Sequence, residues 1–339
     1  MLMVQKFHSL HEIDPEFIPA LELLLKEEVP NFHFIERAQD RSPATDFFTF
    51  FLFFGPTQNT PIGFAQVRLR SVPSSSYRSC WQKLAFWNKD HEHWKEAVWN
   101  VFGGNSGVCL FDARFARSGA EKMQELIEEY ESRSDIVAHD IHDLKGIQNF
   151  KLRHHSPVHL RSRFVLEALP KSSKTYQDYL AGLDREMARE IKSEWKKLRD
   201  DKVDVGDFTL PNSDVELPYS LEEISLWQSW GASLLTFERE GELLGSVLVV
   251  PGKDGNVFFE PMPLEPENRS LVSDQMYIQY SLLKFHDMKE ARRCHIFRSG
   301  GKLTFTDKKD LEEFTLQGSQ TKEVSEVFYS RLPGLVAPL

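Results

Sequence analysis

Three carboxylates in this chain, Asp112, Glu260 and Asp274, have the type and place to act as a base. Glu260 follows Phe258 and Phe259 at the end of a β-prone run. An acid placed there can take a proton from an amine if its surroundings raise its pKa toward neutrality. Asp112 and Asp274 are the other acids with a comparable place beside regular elements. A second group is cationic: Arg185, Arg189, Lys192, Lys196 and Arg199 recur at helical spacing, with Glu186, Glu190 and Glu194 interleaved. Such a row can hold a phosphate-bearing substrate, and Arg can do so with paired hydrogen bonds. The same pattern also describes a surface helix whose charges neutralise one another. A third group is Arg114, Arg117, Ser118 and Gly119, which stand where a strand passes into a helix. The orphan N–H groups of a helix start attract phosphate.

Other chemistries find less support. His139, Asp140, His142 and Asp143 are close in sequence, and His154, His155 and His159 follow, but strand alternation sends His139 and His142 to opposite faces. No HExxH or cysteine-rich spacing accompanies them, so no metal is expected. His91 and His93 invite the same reading. There is no GxSxG elbow, and Cys80, Cys109 and Cys294 lie far apart without CxxC spacing. Cys109 and Cys294 fall in or beside buried strands, where a small apolar role fits them. No disulfide framework is expected on this count, and a reducing cytoplasm is the expected compartment. The start of the chain shows no basic residues followed by a long apolar stretch.

The chain of 339 residues carries a net charge of −10, which argues against DNA or general nucleic-acid binding. The charge is uneven. Between Lys151 and Lys202, thirteen Lys or Arg face eight Asp or Glu, so this segment is net positive inside an acidic protein. A local site for an anionic partner follows from that contrast.

The elements that must position these residues recur in order. Ile18, Leu21, Leu24 and Leu25 mark a helix opened by Asp14 and Pro15. Thr45–Phe54 and Gly63–Val72 read as a hairpin, the second strand alternating Ala65, Val67 and Leu69 with Gln66, Arg68 and Arg70 as a half-buried strand does. Gly107–Asp112 is a short strand, a helix runs through Met123 and Ile127, and Ile136–Ile141 is a strand. After a crossover strand at Leu160–Leu169 comes a helix from Tyr176 to Arg199, broken at Gly182. A helix over 220–230, a hairpin about Glu240-Gly241, a strand from Asn256 ended by Pro261 and Pro263, a helix from Ser273 and a strand at His295–Phe297 complete the pattern. Helix, hairpin, strand, helix, strand thus appears twice. Two domains follow, 1–150 and 151–339, joined near 144–157 and packed around a shared cleft. The first carries a tryptophan-rich insertion at about 73–104, with Trp81, Trp87, Trp94 and Trp99. Core packing of a helical insertion and contact with a membrane surface both suit that stretch.

The helix Leu183–Ile191, the hairpin Glu240–Ser246 and the run from Ser273 to Gly301, in this order, resemble the GNAT acyltransferase superfamily in tandem form, as in the Fem-type peptidoglycan bridge aminoacyltransferases and their BioF2-like relatives. The resemblance implies an α/β fold of two GNAT-like domains with mixed, largely antiparallel sheets. It also implies acyl or aminoacyl transfer that forms an amide on an amine-bearing acceptor, a small molecule or a cell-wall or lipid precursor. The donor would be acyl-CoA or aminoacyl-tRNA. Arg114, Arg117, Ser118 and Gly119 would then receive a donor pyrophosphate, Arg185 and Arg189 would hold substrate phosphate, Phe259 would contact substrate, and Glu260 would be the base. Arg117 stands where the superfamily loop has its first glycine. In the second half Arg269 is followed by Val272 and Asp274 at the glycine positions, and an acid there repels phosphate. The competing reading is a tandem module that has lost its donor loop and binds a ligand or partner without catalysis.

Overall fold

The computed structural model describes residues 2–40, 44–57, 59–71, 95–100, 109–142, 152–208, 221–263, 271–298, 301–302, 304–305 and 319–330. Trp81, Trp87, Trp94, His91, His93, Asp143 and the 264–270 segment lie outside them. Contacts divide the chain into two compact units. The first comprises Met1–Val165, Phe305–Lys308 and Glu323–Leu339; the second comprises Leu166–Thr304 and Lys309–Lys322.

The first unit contains β1 (Met3–Phe7), α1 (Ile18–Leu24), α2 (His33–Asp40), β2 (Phe47–Phe54), β3 (Pro61–Ser71), β4 (Lys95–Trp99), β5 (Cys109–Phe111), α3 (Ala116–Glu131), β6 (Ile136–His142) and β7 (Ser156–Leu166). The second follows with β8 (Leu169–Pro170), α4 (Tyr176–Gly182), α5 (Arg185–Asp200), β9 (Asp204–Phe208), α6 (Leu221–Ser229), β10 (Ser233–Arg239), β11 (Glu242–Pro251), β12 (Asn256–Pro263), α7 (Asp274–Asp287), β13 (Arg293–Arg298) and β14 (Gly301–Lys302). β15 (Thr304–Phe305) and β16 (Thr321–Ser330) complete the chain.

The first sheet runs β1-β2-β3-β4-β6-β16-β7-β15, with β5 attached to β3. β1 to β4 are antiparallel neighbours, and β4 pairs with β6 in parallel. The second sheet runs β14-β13-β12-β11-β10-β9, antiparallel from β9 to β12 and parallel between β12 and β13. The expected class, α/β with mixed and largely antiparallel sheets, is what the chain adopts. The repeat includes two edge strands that local pattern does not reveal, β1 and β9.

β2 reads Phe-Phe-Thr-Phe-Phe-Leu-Phe-Phe and is buried from Phe48 onward, which fits a strand covered on both faces. On one face Phe51, Phe53, Ala65 and Val67 pack with Met123, Leu126, Ile127 and Tyr130 of α3. On the other, the Phe64 ring lies near those of Phe32 and Phe50. The half-buried alternation expected of β3 is therefore corrected: it is buried from Pro61 to Val67, Gln66 included, because helices cover both sides. Trp99 is not part of a helical insertion. It sits in β4, fully buried, its ring stacked on Phe51 and its Nε1 donating to His139 Nδ1 at 3.2 Å.

In the second unit the turn between β10 and β11 has both Glu240 and Gly241 in the left-handed region, at φ 53° and 83°, as a two-residue hairpin requires. The helix expected to break at Gly182 does so. Leu183 is extended, and Asp184 caps α5 by accepting from the Glu186 and Met187 amides. α4, α5 and α7 are tied together by one chain of side-chain hydrogen bonds. Trp195 Nε1 donates to Tyr176 Oη at 3.2 Å, and Tyr176 Oη donates to Gln279 Oε1 at 3.0 Å.

Candidate functional site

Glu260 lies one residue past the end of a strand ladder. β12 pairs with β13 in parallel from Asn256–Arg293 to Phe259–Ile296, and the ladder stops there. β12 continues along β11 through Glu260–Leu248, Pro261–Val247, Met262–Ser246 and Pro263–Gly245. β13 turns instead to β14, pairing Phe297 with Lys302 and Arg298 with Gly301. The expectation that Pro261 ends the strand is thus corrected. The reason is which way each backbone group faces. Gly252 N donates to Asn256 O at 2.8 Å, so Asn256 faces β11, and with an unbroken register so do Phe258, Glu260 and Met262. Pro261 and Pro263 face away, where their missing N–H groups cost β11 nothing and deny β13 two donors. Among the described residues no strand pairs with this side of β12 beyond Phe259, where it presents the carbonyls of Pro261 and Pro263.

Glu260 is itself buried, as is Phe259. Pro263 opposes Gly245 on β11, and a Cβ at Gly245 would stand 1.9 Å from the Tyr277 hydroxyl of α7. The glycine thus leaves room for the Tyr277 side chain of α7 against this part of the sheet. α7 begins with Ser273 as its cap residue, whose Oγ donates to Glu194 Oε2 of α5 at 3.1 Å. Asp274 is exposed in the first turn of α7. Arg185 and Arg189 lie exposed on α5 with Lys192, Lys196 and Arg199, while Ile191 and Leu198 face inward.

The first unit treats its corresponding residues differently. β5 pairs with β3 at Gly63–Ala65 and with no other described strand, and a 3-10 turn capped by Asp112 leads into α3. Asp112 accepts from the Arg114 amide at 3.0 Å and binds its guanidinium at 3.0 and 2.8 Å. These hydrogen bonds from Arg114 hold the Asp112 carboxyl down at about 2. Arg114 is thus committed to an internal acid. Arg117 lies 3.5 Å from Glu121 along the exposed face of α3, and Ser118 Oγ donates to the Phe115 carbonyl at 3.2 Å. Gly119 is buried inside α3 rather than lying in a loop.

One cluster escaped the sequence reading. His139 meets His155 edge to face with ring centroids 4.7 Å apart, and His155 Nδ1 lies 3.4 Å from Glu131 Oε1. All three are buried. Strand alternation governs His139 only relative to its own strand, whereas Glu131 arrives from α3 and His155 from the chain just before β7. The available signal was Glu131, an acid at the next position of the stripe Met123, Ile127, Tyr130. Among the described residues no group of three or more His, Cys, Asp or Glu is placed to hold a metal ion. Cys294 is fully buried in β13, and burial pushes its thiol pKa up, consistent with a packing role. Among the described residues no helix is long and apolar enough to cross a membrane.

No protein-family model matches the sequence, and no curated protein matches it. Solved structures similar to the chain include a tandem GNAT protein from the clavulanic acid biosynthesis pathway, at 10% identity and TM-score 0.42, over 98% of this chain and 99% of that one. A GCN5-related N-acetyltransferase from Sphaerobacter thermophilus is similar at 11% identity and TM-score 0.35, covering 98% and 97%. A GNAT-family acetyltransferase from Colwellia psychrerythraea is similar at 9% identity and TM-score 0.35, covering 96% and 99%.

Proposed function

We propose that the second unit transfers an acyl group from an extended thioester or ester donor that bears N–H groups to an amine. The observation that carries this reading is the end of the β12–β13 ladder after Phe259 and Ile296. An unpaired strand side favours a ligand that completes the ladder, as added strands do elsewhere. Here the side beyond Phe259 offers acceptors from Pro261 and Pro263, so the arm must bring N–H donors. A pantetheine arm has them, and so does an aminoacyl ester.

In the reaction the acceptor nitrogen attacks the acyl carbonyl carbon. A carbon–nitrogen bond forms and the carbon–sulfur or carbon–oxygen bond breaks. On this reading Glu260, one residue past the last ladder pair, takes the proton that the amine loses, and the leaving thiolate or alkoxide receives it. Catalysis is otherwise mostly positioning of the two reactants. The exposed guanidiniums of Arg185 and Arg189 serve the phosphates of the donor or acceptor.

The test mixes the full chain with an amine panel and acetyl-CoA or aminoacyl-tRNA, following amide product by mass spectrometry and thermal stability alongside. Product with one donor, and a Glu260→Gln variant whose kcat falls roughly a hundredfold or more while its Tm is kept, is the expected result. Stabilisation without product would assign a binding module instead. Neither product nor stabilisation with either donor would refute the reading.

A further inference from the structure

A cavity of about 450 Å³ opens in the first unit, at the end of its sheet away from β5. It lies between the start of β2, the start of β4 and the C-terminal end of α3. α3 has 16 residues, so the cavity stands roughly 20 Å from Arg114 and Arg117. Its volume falls in the range of small-molecule sites. Phe47, Phe48, Leu69 and the Tyr130 ring supply apolar wall. Phe47 is 57% exposed, an unusual state for a strand aromatic whose neighbours in β2 are buried.

The polar groups are specific. Thr49 and Tyr130 both line the cavity, and both residues are buried. Each carries a hydroxyl whose proton can be donated to an anion. Lys95 holds its ammonium 4.8 Å from the centre of the Phe47 ring and 3.7 Å from Asp135, outside hydrogen-bonding distance of that carboxylate. Arg133 binds Asp135 at 3.1 and 2.8 Å and lies over the Tyr130 ring. Asp46 is paired with Arg68 at 2.5 Å. Around the cavity, then, three cations (Arg68, Lys95, Arg133) meet two carboxylates (Asp46, Asp135), which leaves one positive charge in excess.

We infer that this cavity binds a small organic monocarboxylate with an aromatic or aliphatic body. The acid would lie against the Lys95 ammonium and the Thr49 and Tyr130 hydroxyls, and the body would cover Phe47, removing its exposed ring from water. The excess of one cation matches a monoanion, and the apolar walls exclude acids that are all charge, such as phosphate. This site shares no residue with the acyl-transfer reading and stands or falls apart from it.

Thermal stability of the full chain is measured against phenylacetate and hexanoate, with phenylacetamide, acetate and inorganic phosphate as controls. Tm rises with either acid, while the amide, which lacks the charge, and acetate and phosphate, which lack the body, leave it in place. Lys95→Met and Phe47→Ala each weaken the apparent affinity roughly tenfold or more. Saturation-transfer NMR on the unmodified protein reads contact with the ligand body without any variant. No shift and no transfer with either acid would overturn the inference. So would equal response to phenylacetamide, or full binding by a folded Lys95→Met/Phe47→Ala double variant.

Discussion

A Cβ on Gly119 would stand 2.7 Å from the ring of Phe111. The same ring would meet a Cβ on Gly63 at 2.3 Å, so it lies in a slot between α3 and β3 that two glycines make. The smallness of residue 119 therefore serves the seating of α3 on the sheet, whatever anion the helix start meets.

Gly119→Ala sets two effects against each other. Alanine in place of glycine favours a helix interior by about 1 kcal/mol. Overpacking against the ring costs typically about 1–3 kcal/mol. The ring is closed in on both sides, so net destabilisation is expected, read as a lowered midpoint in urea. In a Phe111→Ala background the same change should become stabilising. A Gly119→Ala effect identical in both backgrounds would show that the ring is not the cause.

Tyr176→Phe removes one oxygen and disturbs three helices. Trp195 Nε1 loses its acceptor and the buried Gln279 Oε1 loses its donor, so the cost exceeds that of a single exposed hydrogen bond. A loss of about 1–3 kcal/mol in chemical denaturation is expected. Because α5 carries Arg185 and Arg189, hydrogen exchange should also quicken along α5. A variant as stable as the parent, with α5 exchange unchanged, would contradict this account.

Asp112 allows a pH test. Its folded pKa lies at about 2, below the ordinary value of 3.8. A depressed carboxylate contributes stability that is fully present above its unfolded pKa and is lost as pH falls through the folded one. Asp112→Asn keeps a capping oxygen and removes the charge. Its Tm should lie below the parent's from pH 5 to 8, with the gap closing between about pH 4 and 2. The effect will be small, since the pair is open to water and screened by salt. A gap that persists unchanged at pH 2 would rule out the Asp112–Arg114 pair as its source.

Much of the architecture is legible in local pattern. The apolar run of β2, the turn at Glu240-Gly241 and the cap at Asp184 are near-neighbour effects, so hairpins, the break after Gly182 and the doubled order of elements follow from spacing alone. β1, β9 and β16 do not, because a strand at an edge or pairing far along the chain owes its form to its partner's free groups more than to its own residues. The candidate site divides in the same way. That Glu260 ends an aromatic stretch is a fact of sequence, and so is the placing of two prolines one residue apart. That those prolines face away from β11, and that the β12–β13 ladder ends beside them, was decided by tertiary pairing, since a missing N–H matters only to the strand it would have met. Likewise the meeting of His139, His155 and Glu131, and of Lys95 with Phe47, joins residues that share no local period. Their contacts exist only once the backbone has brought their elements together.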